Sequence, residues 1–150
     1  MNEEFFTTDD IRGKGEADGF IEVAWNTGKA FADWLPTMGE VAVLRRGDVN
    51  DQIVGAIIEG VRLQGRDVID AGSGDGQQVA ELISAAGYSG AVIIGYDAIA
   101  EVSTIELYNE TGTRIDGEHG LQTIAESVNA GNFVPSRIKG ELKNDIATRQ

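Results

Sequence analysis

Two hydrophobic periods alternate along this chain, and that alternation constrains the fold more than any other feature. Residues 19–34 and the next position place Phe20, Ile21, Ala24, Gly28, Phe31 and Leu35 at i, i+3/i+4 spacing, the stripe of an amphipathic helix, with Pro36 just past its end. Val41–Leu44 is a short β-branched run. Asn50 then stands as an N-cap before Ile53, Ala56, Ile57 and Val61, and Gly65 ends that helix. Asp67–Ala71 reads as a strand. Gln77–Ala86 reads as a helix with Val79, Leu82, Ile83 and Ala86 inward and Gly87 as its stop. Ala91–Ile94 is a continuous apolar run, the mark of a buried strand. Thr104–Tyr108 is a further strand, 110–113 a turn, and Leu121, Ile124, Ala125 and Val128 a last helix.

Strands alternating with helices predict an α/β fold. The expected architecture is a three-layer sandwich: a mixed sheet of about four main strands, with helices 19–34, 50–64, 77–86 and 120–130 on both faces. Its buried residues are predicted to include Ile57, Val61, Val68, Val79, Leu82, Val92, Ile93, Ile94, Ile105, Leu107, Leu121 and Ile124. No linker or repeat interrupts the 150 residues, so 1–150 is expected to be a single domain.

Composition narrows the function classes. The chain has no Cys, which excludes disulfide scaffolds and thiolate chemistry, and one His, which excludes a poly-histidine site. Its formal charge of −13 would repel a polyanion, so neither nucleic acid nor an anionic membrane is an expected partner. No apolar run approaches the ~20 residues of a membrane span. No basic start with an apolar h-region opens the chain, and a cytoplasmic location is expected. The acid pairs Glu3-Glu4, Asp9-Asp10 and Asp116/Glu118 lack calcium-loop spacing, so no metal site is assigned. His119 is read as a surface residue.

The segment Asp70-Ala71-Gly72-Ser73-Gly74-Asp75-Gly76 ends a strand and enters a helix. It resembles the start of the S-adenosylmethionine site in class I methyltransferases. There glycines admit the ligand's approach, and an acid after the next strand, here Asp97, would bind the ribose. That reading implies Gly72, Gly74 and Asp97 as cofactor-binding residues and S-adenosylmethionine as the cofactor of a small methyltransferase-like or nucleotide-binding protein.

A second resemblance spans nearly the whole chain. Phe6-Thr7-Thr8-Asp9-Asp10-Ile11-Arg12-Gly13 is similar to the opening F-x-x-x-D-I-R-G of the phosphohexomutases, the phosphomannomutase/phosphoglucomutase family. Gly28–Leu35 resembles that family's first helix. Ala56-Ile57-Ile58-Glu59-Gly60-Val61 through Val68-Ile69-Asp70-Ala71-Gly72 resembles its A-L-x-x-G-L-x-x-x-G-x-x-V-x-D-x-G, and Gly90–Ile94 and Ile105–Thr113 flank the place of its serine loop. The resemblance implies the N-terminal domain, domain 1, of a four-domain enzyme, standing alone.

The reactive positions do not carry over. In the family a phosphoserine in T-A-S-H-N-P transfers phosphate, and a lysine in N-G-[IF]-K moves a proton. Here the serine position falls on Tyr96, the histidine position on Asp97 and the lysine position on Glu106. The G-R-D-x-R stretch has become Val43–Gly47, and P-T-P has become Asp75-Gly76-Gln77. Arg12 alone persists as a ligand-binding candidate, with a structural ion pair to Asp9 or Asp10 as the plainer reading. Mg2+ is expected of the family, but its main site belongs to later domains, so no cofactor is assigned. The expected function is a non-catalytic binding or assembly module, with a sugar phosphate as any residual ligand. Its expected partner is a second copy in a homodimer or a separate chain whose enzyme it completes. Phe5, Phe6, Trp25, Trp34 and Phe133 are the aromatics expected at that interface.

Overall fold

The computed structural model describes residues 5–7, 10–14 and 19–144. The elements run β1 (Ile11–Gly13), α1 (Phe20–Trp34), β2 (Val41–Arg46), α2 (Asp51–Leu63), β3 (Val68–Ser73), α3 (Gly76–Ala86), β4 (Gly90–Asp97), β5 (Val102–Tyr108), α4 (Leu121–Ala130) and β6 (Leu142–Asn144). No helix among the described residues is long and apolar enough to cross a membrane.

One sheet holds six strands in the order β1-β5-β4-β2-β3-β6. β4, β2, β3 and β6 pair in parallel, while β5 runs antiparallel to both β4 and β1. The four long strands are those expected from the apolar runs. The two added strands have three residues each and sit at the edges, too short for any alternation to show.

The caps follow the sequence. The Asn50 side chain accepts from the Gln52 N–H at 2.8 Å, opening α2. Asp75 and Gln78 close a reciprocal capping box on α3, which ends at Gly87.

Side-chain alternation divides the core in two. Val41, Val43, Val92, Ile94, Ile105 and Leu107 face α1, α2 and α4, whereas Ala42, Leu44, Ile93 and Tyr108 face the single helix α3. Eleven of the twelve residues expected in the core are buried. Leu82 is the exception and is only half-buried, and Ala86, also expected inward, is exposed. The reason is that α3 stands alone on its face, with no neighbouring helix to close its flank.

Of the five aromatics expected to be exposed at an interface, one is buried and four are half-buried. Phe5 is buried edge-on against Phe20, with ring centroids 5.1 Å apart. Phe6, Trp34 and Phe133 are half-buried against the main core. Trp25 is also half-buried and carries the Lys29 ammonium 3.3 Å from its ring centroid.

α1 and α2 meet at Gly28 and Gly60. A Cβ on Gly60 would lie 2.2 Å from the Trp25 carbonyl oxygen, and one on Gly28 would lie 2.5 Å from that of Ile57. No side chain fits between the two backbones there, which is the physical reason for glycine at both positions.

Candidate functional site

The carboxyl ends of the parallel strands and the β4–β5 hairpin form the candidate site. Tyr96 pairs with Ser103 and Asp97 with Val102, so residues 98–101 form a tight turn rather than an open loop. Oδ1 of Asp97 accepts from the Ile99 and Ala100 N–H groups at 3.0 and 3.1 Å. Glu101 takes φ 58°, the one described non-glycine residue in the left-handed region.

The strand period of two then separates Tyr96 and Glu106, the residues expected at the phosphohexomutase serine and lysine positions. Glu106 pairs in register with Ile93, and Tyr96 with Ser103. Tyr96 therefore lies on the α1/α2 face, while Glu106 lies on the α3 face. Tyr96 is 44% exposed and lines a cleft of about 380 Å3 with Lys14, Asp48 and Glu101.

On the α3 side, α3 packs on Tyr108 at the end of β5, and charged side chains lie over β1 and the rest of β5. Two buried carboxylates, Asp10 and Glu106, and three arginines cover that surface. Asp10 accepts two hydrogen bonds from Arg12, at 3.1 and 3.0 Å, and one from Thr7 at 2.8 Å. Glu106 accepts two from Arg46, at 3.2 and 2.8 Å, and one from the Tyr108 hydroxyl at 3.0 Å. Arg114 bridges the pair, 3.5 Å from Asp10 and 3.7 Å from Glu106. Arg46 reaches Glu106 by crossing β4 over Gly95, where an added Cβ would stand 3.1 Å from its guanidinium.

Burial pushes both carboxyls up, but the arginines outweigh it. Hydrogen bonds from Arg12 and Thr7 and the charges of Arg12 and Arg114 leave Asp10 below its ordinary value. The Arg46 hydrogen bonds, the charges of Arg114 and Arg46 and the Tyr108 hydroxyl do the same for Glu106. Tyr108 is pushed up to about 12 by burial and by the neighbouring Glu106.

A carboxyl held low in the folded state stabilises the fold above its unfolded value, and that stability vanishes as pH falls through the folded one. The unfolded values are 3.8 and 4.5, so this contribution is expected to be intact at neutral pH and lost below about pH 4. Denaturant titrations at pH 7, 5 and 3 check this. Glu106→Gln should be less stable at pH 7 and lose less on acidification. An equal loss in both proteins would show that the ion pairs do not set the acid sensitivity.

The structure thus brings Arg12, Asp97 and Glu106 into one network, with Arg12 3.7 Å from Asp97, and leaves Tyr96 out of it. Arg12 pairs with Asp10; Asp9, like Glu3 and Glu4, lies outside the described residues. Arg46 and Arg114 were not legible as partners of Glu106, since only strand pairing aligns them, whereas Tyr108 shares its face through the period of two within β5. His119 pairs with Asp116 in the turn before α4.

The glycine-rich segment is not joined to Asp97. β2 stands between β3 and β4. A Cβ on Gly74 would lie 2.4 Å from the Leu44 side chain, and the Gly74 N–H donates to the Arg45 carbonyl at 3.0 Å. Gly72 takes φ 77° where the β2–β3 register slips. The Asp75 carboxylate already receives the Gln77 and Gln78 N–H groups at the start of α3, where an anionic ligand would bind. The segment as built does not fit S-adenosylmethionine. Nor does the cluster fit Mg2+, because arginines take up its buried carboxylates. Among the described residues, no three His, Cys, Asp or Glu side chains converge on a metal position.

No protein-family model matches the chain, and no curated protein matches it. Solved structures do. A phosphoglucomutase/phosphomannomutase family protein from Burkholderia thailandensis superposes with a TM-score of 0.73 at 20% identity, over 98% of this chain and 34% of that one. A structure described as a phosphomannomutase from Thermus thermophilus gives 0.68 at 16% identity, over 93% and 32%. The phosphoglucomutase pp63/parafusin from Paramecium gives 0.55 at 15% identity, over 89% and 25%. This chain therefore spans about a third or less of the length of each. In fold, it is similar to a domain-1-like portion of the phosphoglucomutase/phosphomannomutase proteins.

Proposed function

We propose that this chain is a non-catalytic binding or assembly domain on a phosphohexomutase domain 1-like scaffold. Any small ligand it takes is a sugar phosphate held at Arg12. The observation that carries the reading is the placement of Tyr96 and Glu106 on opposite faces of the sheet. Phosphoryl transfer needs a nucleophile and a proton-transfer group at one reacting atom. Here the two substituted positions share no such atom, and Glu106 is spent on Arg46, Arg114 and Tyr108.

What Arg12 offers a phosphate is limited in the same way. Its fork is engaged by Asp10, yet its side chain is 40% exposed, so a phosphate oxygen can reach the outer N–H groups. Binding there competes with Asp10 and Asp97 and is expected to be weak.

The test is a mutase assay on the purified chain with a hexose 1-phosphate and a hexose 1,6-bisphosphate primer. No turnover above background is expected, and Tyr96→Ser is expected not to restore any, because such groups act as a unit. Turnover by the unmodified chain would overturn the reading. Calorimetry with glucose 1-phosphate is expected to show weak binding that Arg12→Gln removes. The same titration with S-adenosylmethionine is expected to show none.

A further inference from the structure

We propose that the groove between the N-terminal halves of α1 and α2 is a docking site for a basic amphipathic helix of a separate protein. The proposal names the partner chemistry of an assembly domain, but it stands whether or not a sugar phosphate binds at Arg12.

The groove follows from the helix crossing. The backbones touch at Gly28 and Gly60 and part towards their N-termini, leaving an apolar cleft of about 500 Å3. Ile21 and Trp25 from α1 and Ala56 from α2 form its floor, with Glu22 and Glu59 at its rim. An apolar trough of this kind, bounded by two helices, is the shape that accepts the apolar face of a third.

The independent observation is Gly55. It lies in the interior of α2, is exposed, and an added Cβ there would meet nothing within 4 Å. Its φ is not in the left-handed region. Glycine inside a helix is unfavourable relative to alanine, and no packing contact among the described residues requires it. Gln52, Gly55, Ala56 and Glu59 fall at i, i+3, i+4 and i+7, so Gly55 belongs to the stripe that borders the groove. Close approach of another backbone accounts for a glycine at that point.

Charge selects the partner. Glu59 is paired with Arg62 and Lys139, and the Lys29 ammonium is buried over the Trp25 ring, within the electrostatic reach of Glu22. Glu22 itself has no ion pair within 4 Å among the described residues, and Asp51 adds a further exposed acid at the start of α2. A second copy would bring the same acidic rim and another −13 of formal charge. A helix flanking its apolar face with Lys or Arg meets this surface with opposite sign.

The experiment titrates the full chain with a synthetic leucine–lysine amphipathic peptide and with its leucine–glutamate counterpart. Binding is read by calorimetry at ~0.15 M salt, and by Trp25 fluorescence in a Trp34→Phe background. The lysine peptide is expected to bind and to shift the Trp25 emission, and the glutamate peptide is expected not to bind. Gly55→Leu is expected to raise Tm, since the site is open and leucine favours helix, while weakening the lysine peptide about tenfold or more. Three results would overturn the proposal: no binding of the lysine peptide, equal binding to the Gly55→Leu chain, or equal binding of the glutamate peptide. A dimer in sedimentation equilibrium that Gly55→Leu dissolves would also overturn it, by assigning the groove to a second copy.

Discussion

Gly60→Ala is expected to destabilise the fold by about 2–3 kcal/mol, although alanine is the better helix former by about 1 kcal/mol. The new methyl would sit 2.2 Å from the Trp25 carbonyl oxygen and 3.0 Å from the Lys29 nitrogen, both backbone atoms of α1. Backbone cannot turn away as a side chain can, so α1 and α2 must separate along their whole contact, and both press on the same sheet face. For a chain of 150 residues the loss corresponds to a fall in Tm of roughly 6–10 °C. Gly55→Ala in the same helix is the control. Its methyl meets nothing, so it should stabilise by up to about 1 kcal/mol. Thermal melts of the two variants decide the matter. Effects of the same sign would mean that helix propensity, and not the close crossing, governs α2.

Arg66→Ala is expected to cost about 3–4 kcal/mol, through lost hydrogen bonds and a cavity together. Arg66 is 4% exposed, and its guanidinium donates to three carbonyl oxygens: Ala32 at 2.7 Å, Gly39 at 3.0 Å and Leu35 at 3.3 Å. Ala32 and Leu35 lie in the last turn and at the C-cap of α1, where carbonyls have no intrahelical donor and the helix end carries partial negative charge. No carboxylate lies within salt-bridge distance of Arg66 among the described residues; the helix end takes that part. Arg66→Met separates the two contributions, because it keeps most of the apolar stem while removing every donor. It should recover part of the loss, and full recovery in urea unfolding would show that the carbonyl contacts contribute nothing.

Both effects bear on what could be read beforehand. The helix stripes, the long strands and the caps at Asn50 and Gly87 are local properties, set by neighbours within a few residues, and, Leu82 and Ala86 apart, they stand in the structure where the periods and cap residues put them. Gly60 was visible as part of a motif, but its reason, a backbone of α1 lying against it, is a contact between elements about 30 residues apart. Ile11–Gly13 and Leu142–Asn144 became strands only because a sheet edge was there to receive them.

The candidate site divides along the same line. From the sequence come the lack of cysteine, the single histidine and the strongly negative charge, together with the expectation that Tyr96 and Glu106 stand where the phosphohexomutases keep a serine and a lysine. It also supplied Arg12 and its neighbour Asp10. Tertiary structure alone decided what these residues face. The register of β4 on β5 sends Tyr96 and Glu106 to opposite sides of the sheet, and the register of β2 on β4 carries Arg46 across Gly95 to Glu106. The placement of β2 between β3 and β4 separates Asp97 from the glycine-rich segment it appeared to serve. A strand pattern states which residues alternate, but strand order and register are properties of pairs far apart in the chain. They are settled by which faces can be buried together, and no local stretch of sequence contains that information.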